Sequence, residues 1–529
     1  MNRPRKLILV FATLFAFSPL MFCSAANVYI TPNGSGAGVC TSNPQTPAWF
    51  NNSANWGPGA TQIGPGTNVT LCGTFTGSPG STLLTFHGSG TSSSPITLTF
   101  DANTNLTAPY WGSSSSGAIN TNGNSSLVID GGSNGIIQNT QDGTGLNYQQ
   151  ASIAIYLIGG SRVTVQNLTI ANMCQHTSST DTVACNSGGN NDRGILVGGN
   201  VSNITLQYNT IHDSQNCIEY SGNNSDTGVL FSRNTISRCN WGIGGYGGTN
   251  GLTIDGNDIS SATNWDTAAD SFHHNGIMLF PQSANMNNVV ISNNYIHDIN
   301  GTETAHIFLD PNSTGNLPGV LIYNNVTVTT VLGGPTNCFI EPGAHVAPAL
   351  VYNNTLSGHS ACGTGVDPTG VIENNIFVGM YNALGIPSNG ITSDYNDFYG
   401  LTGGTLSFTN ASNGVDAPTL AAWVSSTASD SEPCQGGMCD QHSISGNPNL
   451  TASFMLSSGS PAIAAGKNLT SLGIAGLNVG APQFFGVNYA CGTGCVPRSS
   501  TGSWDIGAYP ASSGGNPPAP PSGLAAVVQ

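Results

Sequence analysis

Charge is what this sequence has least of. Among 529 residues only 9 are Lys or Arg and 25 are Asp or Glu, so charged side chains make up 6% of the chain, against roughly 25% in an average globular domain. That scarcity excludes a coiled coil or helical bundle, whose seams need Ala/Glu/Lys/Leu-rich stretches. Disorder driven by charge is excluded as well, because hydrophobic residues still account for 38%; a disordered chain combines high net charge with few branched or aromatic residues. Long apolar runs are missing beyond the N-terminus, and none approaches the roughly 18 residues that cross a bilayer. What is plentiful is Gly, 70 residues of it, with Asn, Ser and Thr. Such a chain buries a core only if many short strands each contribute a little, so a repeat β architecture is expected.

Residues 1–26 read as a secretory signal. Arg3, Arg5 and Lys6 give a positive start, Leu7 to Phe17 an apolar stretch, and Ser24-Ala25-Ala26 a small-residue cleavage site. Cys23 follows the bulky Phe22, which does not suit lipid attachment. The expected location is therefore secreted, extracellular or at the cell surface, with the periplasm as the other exported compartment. Without the signal, 6 basic residues face 25 acidic ones, a formal charge of −19. Nucleic acid would be repelled. No membrane span is expected, and the chain reads as a monomer.

Twelve cysteines remain after Cys23, an even number that suits an oxidising compartment. They fall into sequential pairs expected to be disulfides: Cys40/Cys72, Cys174/Cys185, Cys217/Cys239, Cys338/Cys362, Cys434/Cys439 and Cys491/Cys495. Connectivity is not fixed by spacing alone. The rival reading, a metal site, lacks paired CxxC spacing.

From about residue 160 one phrase recurs: apolar, x, apolar, x, x, Asn, x, apolar. It is written VTVQNLTI (163–170), ITLQYNTI (204–211), VLFSRNTI (229–236), LTIDGNDI (252–259), VVISNNYI (289–296), VLIYNNVT (320–327), ALVYNNTL (349–356), GVIENNIF (370–377) and ITSDYNDF (391–398). The alternation has the period of a strand. The recurring Asn falls at 167, 209, 234, 257, 294, 325, 354, 375 and 396, with spacings as short as 21 residues. One coil of a parallel β-helix needs about that length, each coil stacking on the last at about 4.8 Å. Asn tolerates left-handed turns, and its amide can bond to the amides above and below it.

In these phrases, which read like ISNNYI followed by a Gly-Ile strand, the chain resembles the right-handed parallel β-helix proteins of the pectate-lyase-like superfamily. The likeness spans about 27–510. SSPITLTF (93–100) and SLVIDG (126–131) resemble their opening turns, and GSPAIAAG (459–466) and SWDIGAYP (503–510) their closing segment. Ala464 and Pro510 stand where an acidic residue is common, so an end-cap ion pair does not carry over. The resemblance implies an all-β, single-stranded right-handed parallel β-helix with loop insertions and an internal Asn ladder. Its expected parts are an N-terminal cap over about 27–125, regular coils over about 126–400, a closing segment over about 401–510, and a Pro-rich tail over 511–529. It says little about activity, because one fold carries many chemistries.

A second strand in each coil aligns on a central apolar residue: Ile195, Ile218, Ile243, Ile277, Ile307 and Phe339. If that residue points inward, its neighbours one before, one after and three after point outward. The outward set then holds Glu219, Tyr246, Met278, Phe280, His306, Phe308 and Asp310, aromatic rings and carboxylates of the kind a sugar groove uses. Trp241 joins them as a binding residue. Insertions after the ladder strands at 171–193 and 260–275 add Arg193, Trp265, Asp266, Asp270 and His274 beside that face.

Glu219 is three coils from Asp310, roughly 14 Å, too far to share one bond. Glu341, in CFIEPG, is one coil from Asp310 and within the 5–9.5 Å of paired glycosidase carboxylates. Strict alternation would turn Glu341 inward, but an unpaired buried glutamate is costly and Pro342-Gly343 end the strand, so an outward turn is expected. The catalytic set read from sequence is therefore Asp310 and Glu341, with His306 and His274 to tune or hold. Substrate binding falls to Glu219, Arg193, Trp241, Tyr246, Trp265, Asp270 and Phe308. Asp266 and Asp270 suit calcium better than zinc in an oxygen-rich surface, although hydrolysis needs no cofactor.

The expected function is a secreted carbohydrate-active protein that binds an extracellular polysaccharide and cleaves it by glycoside hydrolysis. A calcium-assisted lyase is the first alternative, but the regular coils contain no Lys to act as base. A non-catalytic sugar-binding surface protein or adhesin is the second.

Overall fold

The computed structural model describes residues 27–511 except 114, 144, 176–191, 261–273, 283, 300–304, 310–314, 330–337, 344, 366–369, 387–390, 411–413, 429–433, 435–437 and 479–496. The signal segment lies outside this range. So do Asp310, Trp265, Asp266, Asp270, Cys185, Cys491 and Cys495.

The chain is an all-β solenoid, a parallel β-helix. Among the described residues its strands form one continuous network whose strand pairings are parallel apart from the final hairpin of 408–410 with 415–417. Each coil contributes to three sheets. The first sheet stacks 204–207, 229–232, 252–255, 289–292, 320–323, 349–352, 370–373 and 391–394. Strands 27–30, 68–71, 96–100 and 127–130 continue it toward the N-terminus. The second sheet begins one turn later, with 210–212, 235–237, 258–260, 295–297, 326–329, 355–358, 376–378 and 397–399. The third closes the coil with 193–198, 216–222, 241–247, 275–280, 305–309 and 338–342.

The interior is built of stacked columns of side chains, and each strand adds at least one residue to a column of branched ones. Ile204, Val229, Leu252 and Val289 stack on the first sheet, Ile211, Ile236, Ile259 and Ile296 on the second, and Ile195, Ile218, Ile243, Ile277, Ile307 and Ile340 on the third. Every one is essentially inaccessible. β-Branched residues suit this stack because their χ1 is already restricted.

The turn between the first and second sheets divides two jobs that the sequence reading gave to one Asn. The residue before the ladder Asn takes the left-handed conformation: Tyr208 at φ 57°, Arg233 at 58°, Asn293 at 56° and Tyr395 at 57°. The ladder Asn itself lies buried, and its Nδ2 donates to the Oδ1 of the next coil's Asn. These bonds link 209, 234, 257, 294, 325, 354, 375 and 396 at 3.0–3.2 Å. Each Nδ2 also reaches back to a carbonyl of the previous coil, as Asn209 does to Val165 at 3.0 Å.

Asn167 is not a rung, which corrects the expectation of nine. Register pairs Thr169 with Thr210, so Leu168 occupies the rung position, and Asn167 takes the left-handed turn at φ 58° and bonds Asp130. The phrase VTVQNLTI carries its Asn one place early, and a one-residue shift moves a side chain to the other face. The ladder ends at Asn396, whose N–H donates to Ser443 Oγ and whose Nδ2 meets Asp440.

Among the described residues four of the expected disulfides are present: Cys40–Cys72, Cys217–Cys239, Cys338–Cys362 and Cys434–Cys439. A helix, Leu420–Ala428, closes the C-terminal end of the stack, with Trp423 packed on Phe408 at 5.6 Å and its indole N–H on Asp440. The segment after it runs back along the solenoid. Leu469, Leu477 and Trp504 cover Tyr323 and Tyr352 on the first sheet.

Candidate functional site

The outer face of the third sheet carries the residues that the sequence brought forward. Register places Leu196, Glu219, Gly244, Met278, Phe308 and Glu341 in one row, one per coil. A second outward row, nearer the strand starts, holds Arg193, Asn216, Trp241, Asn275 and Ala305. Trp241, Met278, Ala305 and Phe308 pack into one apolar cluster flanked by Tyr246 and Phe280. Trp241 and Tyr246 meet edge to face, 6.0 Å between ring centroids.

At the N-terminal end of this patch Glu219 is held firmly. Arg193 Nε lies 2.7 Å from its Oε2. Asn216 Nδ2 donates to the same oxygen at 2.6 Å. Burial raises the Tyr246 hydroxyl pKa, and the neighbouring Glu219 charge pushes the same way. At the other end Glu341 sits beside Phe308 in register, half-buried on the outer face. Its outward turn has a simpler origin than the one expected. Ile307 pairs with Ile340, not Phe339, so Glu341 follows the inward residue and faces outward by ordinary alternation.

His306 is withdrawn from the site although its strand was aligned correctly on Ile307. His306 is fully buried and stacks on Phe339, 4.8 Å apart and 19° from parallel, inside the solenoid. Burial holds its imidazole down at about 3, with the positive charge of His297 adding to the effect. The column it belongs to reads Gly194, Cys217, Gly242, Gly276, His306, Phe339. The strand bends here, so two successive residues point inward. A Cβ on Gly276 would meet Ile296 Cγ2 at 2.6 Å and the His306 carbonyl oxygen at 2.7 Å. That small residue before each Ile was the available signal that His306 faces the interior.

His274 is buried immediately before the strand of 275–280, at the edge of this face. Glu219 and Glu341 are four coils apart, roughly 19 Å, beyond the span of a carboxylate pair on one glycosidic bond. The structure therefore groups Arg193, Glu219, Trp241, Tyr246, Phe308 and Glu341 on one face and withdraws His306. Asn216, beside the ion pair, and Asn275, one coil beyond Trp241, were missed. Among the described residues no group of three or more His, Cys, Asp or Glu side chains is placed to hold a metal ion. Among the same residues, no helix is long and apolar enough to cross a membrane.

The architecture is that of a parallel β-helix protein. Among solved structures the chain is similar to a pectate lyase, Pel9A, at 15% identity and a TM-score of 0.45, covering 92% of this chain and 97% of that one. A family PL6 alginate lyase, AlyGC, aligns at 13% identity and a TM-score of 0.42 over 81% of this chain and 55% of the other. The tailspike protein of E. coli bacteriophage HK620, in complex with a pentasaccharide, aligns at 12% identity and a TM-score of 0.38 over 73% and 70%. No family model and no curated protein sequence matches the chain.

Proposed function

We propose that this is an exported carbohydrate-active protein that lays a polysaccharide along the outer face of its third sheet and cleaves it by hydrolysis. The observation that carries the reading is the contiguous cluster of Trp241, Met278, Ala305 and Phe308, bordered by Tyr246 and Phe280, with a glutamate at each end. Ring faces stack on the C–H surfaces of sugars, and a few fixed polar groups set orientation. A carboxylate anchored by Arg193 and Asn216 accepts hydroxyl hydrogen bonds without moving.

Cleavage falls to Glu341 with Asp310, one as general acid and the other as base or nucleophile. Asp310→Ala and Glu341→Ala each lower release of reducing ends at least 100-fold if they form the pair. Wild-type rates in both variants remove them from the chemistry.

Support for a lyase is thinner. Elimination from a uronate needs a base and a positive group for its carboxylate, and the basic side chains of the coils are engaged elsewhere. Arg238 pairs with Asp213 at 2.5 Å, Arg162 donates to Ser126 at 3.1 Å, Arg233 donates to Tyr208, and Arg193 pairs with Glu219. Product absorbance near 235 nm would restore that reading. The pairing of Glu219 with Arg193, which makes it a reader and not an acid, favours one further reading: a sugar-binding surface protein without catalysis. Glycan retained without cleavage over days would select it.

A further inference from the structure

We infer that Asn216, Trp241 and Asn275 form a recognition row for an uncharged, hydroxyl-bearing glycan, an inference that rests on the polysaccharide reading above. The three occupy the same register position in successive coils, so they repeat at about 4.8 Å along the groove. Asn216 and Asn275 are fully buried and Trp241 is 8% exposed. Even so, among the described residues Asn216 Oδ1, Trp241 Nε1 and Asn275 Nδ2 have no hydrogen-bond partner. Buried polar atoms are almost always satisfied, and an orphan costs about 1–3 kcal/mol. Three orphans in adjacent coils on one outward row mark a place where a partner belongs.

The free remainder of each side chain is accounted for, which fixes what the orphans need. Asn216 spends its amide N–H on Glu219, leaving an acceptor. Asn275 accepts from the Ala305 N–H at 2.9 Å, leaving a donor. The Trp241 indole is a donor only. The row therefore offers acceptor, donor, donor. A sugar hydroxyl can both give and take a hydrogen bond, so neighbouring hydroxyls match the whole series. A carboxylate only accepts, so it leaves Asn216 Oδ1 unmatched and brings a negative charge toward Glu219. Arg193, the cation on this face, is already bound to that glutamate.

The test uses the full secreted chain and two sets of probes: neutral polysaccharides (xylan, arabinogalactan and a β-glucan) and the polyuronates alginate and polygalacturonate. Affinity is measured at low and at 0.5 M salt. The expected result is binding to a neutral glycan that salt leaves unchanged, with uronates bound at least about 10-fold more weakly. Trp241→Phe keeps an aromatic six-membered ring and deletes the N–H together with the five-membered ring. It should weaken the neutral glycan at least about 10-fold, the equivalent of one hydrogen bond, in a protein that still shows a cooperative melt. Tighter uronate binding overturns the inference. So does a Trp241→Phe variant that stays folded and binds normally. If no glycan binds at all, the underlying reading falls and takes this inference with it; binding that Trp241→Phe leaves intact removes the inference alone.

Discussion

Two outer faces of this solenoid are built from the same kinds of side chain and end up in opposite conditions. On the first sheet Tyr323 and Tyr352 carry aromatic surface, Asn324, Asn353 and Asn374 carry amides, and Glu373 a charge. Each finds its partner in the closing segment. Asn324 Oδ1 takes a bond from Arg498 at 3.0 Å, Asn353 donates to the Asp505 carbonyl at 3.1 Å, Asn374 donates to the Lys467 carbonyl at 2.8 Å, and Glu373 pairs with Lys467 at 2.6 Å. On the third sheet Trp241, Tyr246, Asn216, Asn275 and Glu219 offer the same chemistry, and three of their polar atoms have no partner among the described residues. A face completed by its own chain is a scaffold. One left short of partners is where the proposed glycan would contribute free energy.

The largest effect expected from disturbing this contrast is on the completed face. Arg498 is buried, and its guanidinium donates to Asn324 Oδ1 and to the carbonyls of Gly507 and Ala508 at 3.0–3.1 Å. Arg498→Met should cost about 3 kcal/mol, because those acceptors lose a charged donor. Denaturant melts measure it. A loss below about 0.5 kcal/mol would mean that the closing segment is held by apolar contact alone.

A pH series comes next in size. Asp397 is buried where the strand of 397–399 meets Ile444 of the closing segment, with both carboxylate oxygens short of a well-formed hydrogen bond. Burial pushes it up to about 7, and Asp142 likewise. A carboxyl raised in the folded state favours folding while neutral, so its contribution is complete below about pH 4 and is lost as pH rises through about 7. The loss is on the order of 4 kcal/mol per group at most. His297, lifted to about 9 by Asp258 and Asp298 despite burial, acts in the same direction at higher pH. Melting temperature should therefore fall between pH 5 and 8, and Asp397→Asn should flatten part of that slope. An unchanged slope in the variant would place the effect elsewhere.

Smallest is a change at the rim of the third sheet. Phe280 is only partly buried beside Met278. Phe280→Ala should shift stability by less than about 1 kcal/mol while weakening glycan retention on an affinity gel. A large stability loss with unchanged retention would make this face another packed surface.

Much of the fold was legible because the interior is periodic. The alternation in LTIDGNDI or VVISNNYI records which side chains face in, and the Asn spacing records the coil. Reading failed where the count slipped by one: at Asn167, where Leu168 is the rung, and at Phe339, where Ile340 is the inward residue. His306 was misplaced for another reason, since two successive residues of its strand face inward, and Gly194, Gly242 and Gly276 in its column pointed to that crowded interior position. The carboxylates and rings of the site were legible as types on a face. Their partners were not, since Arg193 meets Glu219 across coils and beyond any local pattern.

By itself, then, the sequence determined a stack of coils, most of its amide ladder and, where alternation is strict, the side of a strand that faces solvent, because those follow from a local period repeated many times. Only the tertiary structure decided which face stays incomplete. Arg498 reaches Asn324 across 174 residues, and no periodicity encodes where a non-repeating segment will dock or which polar atoms it leaves without a partner.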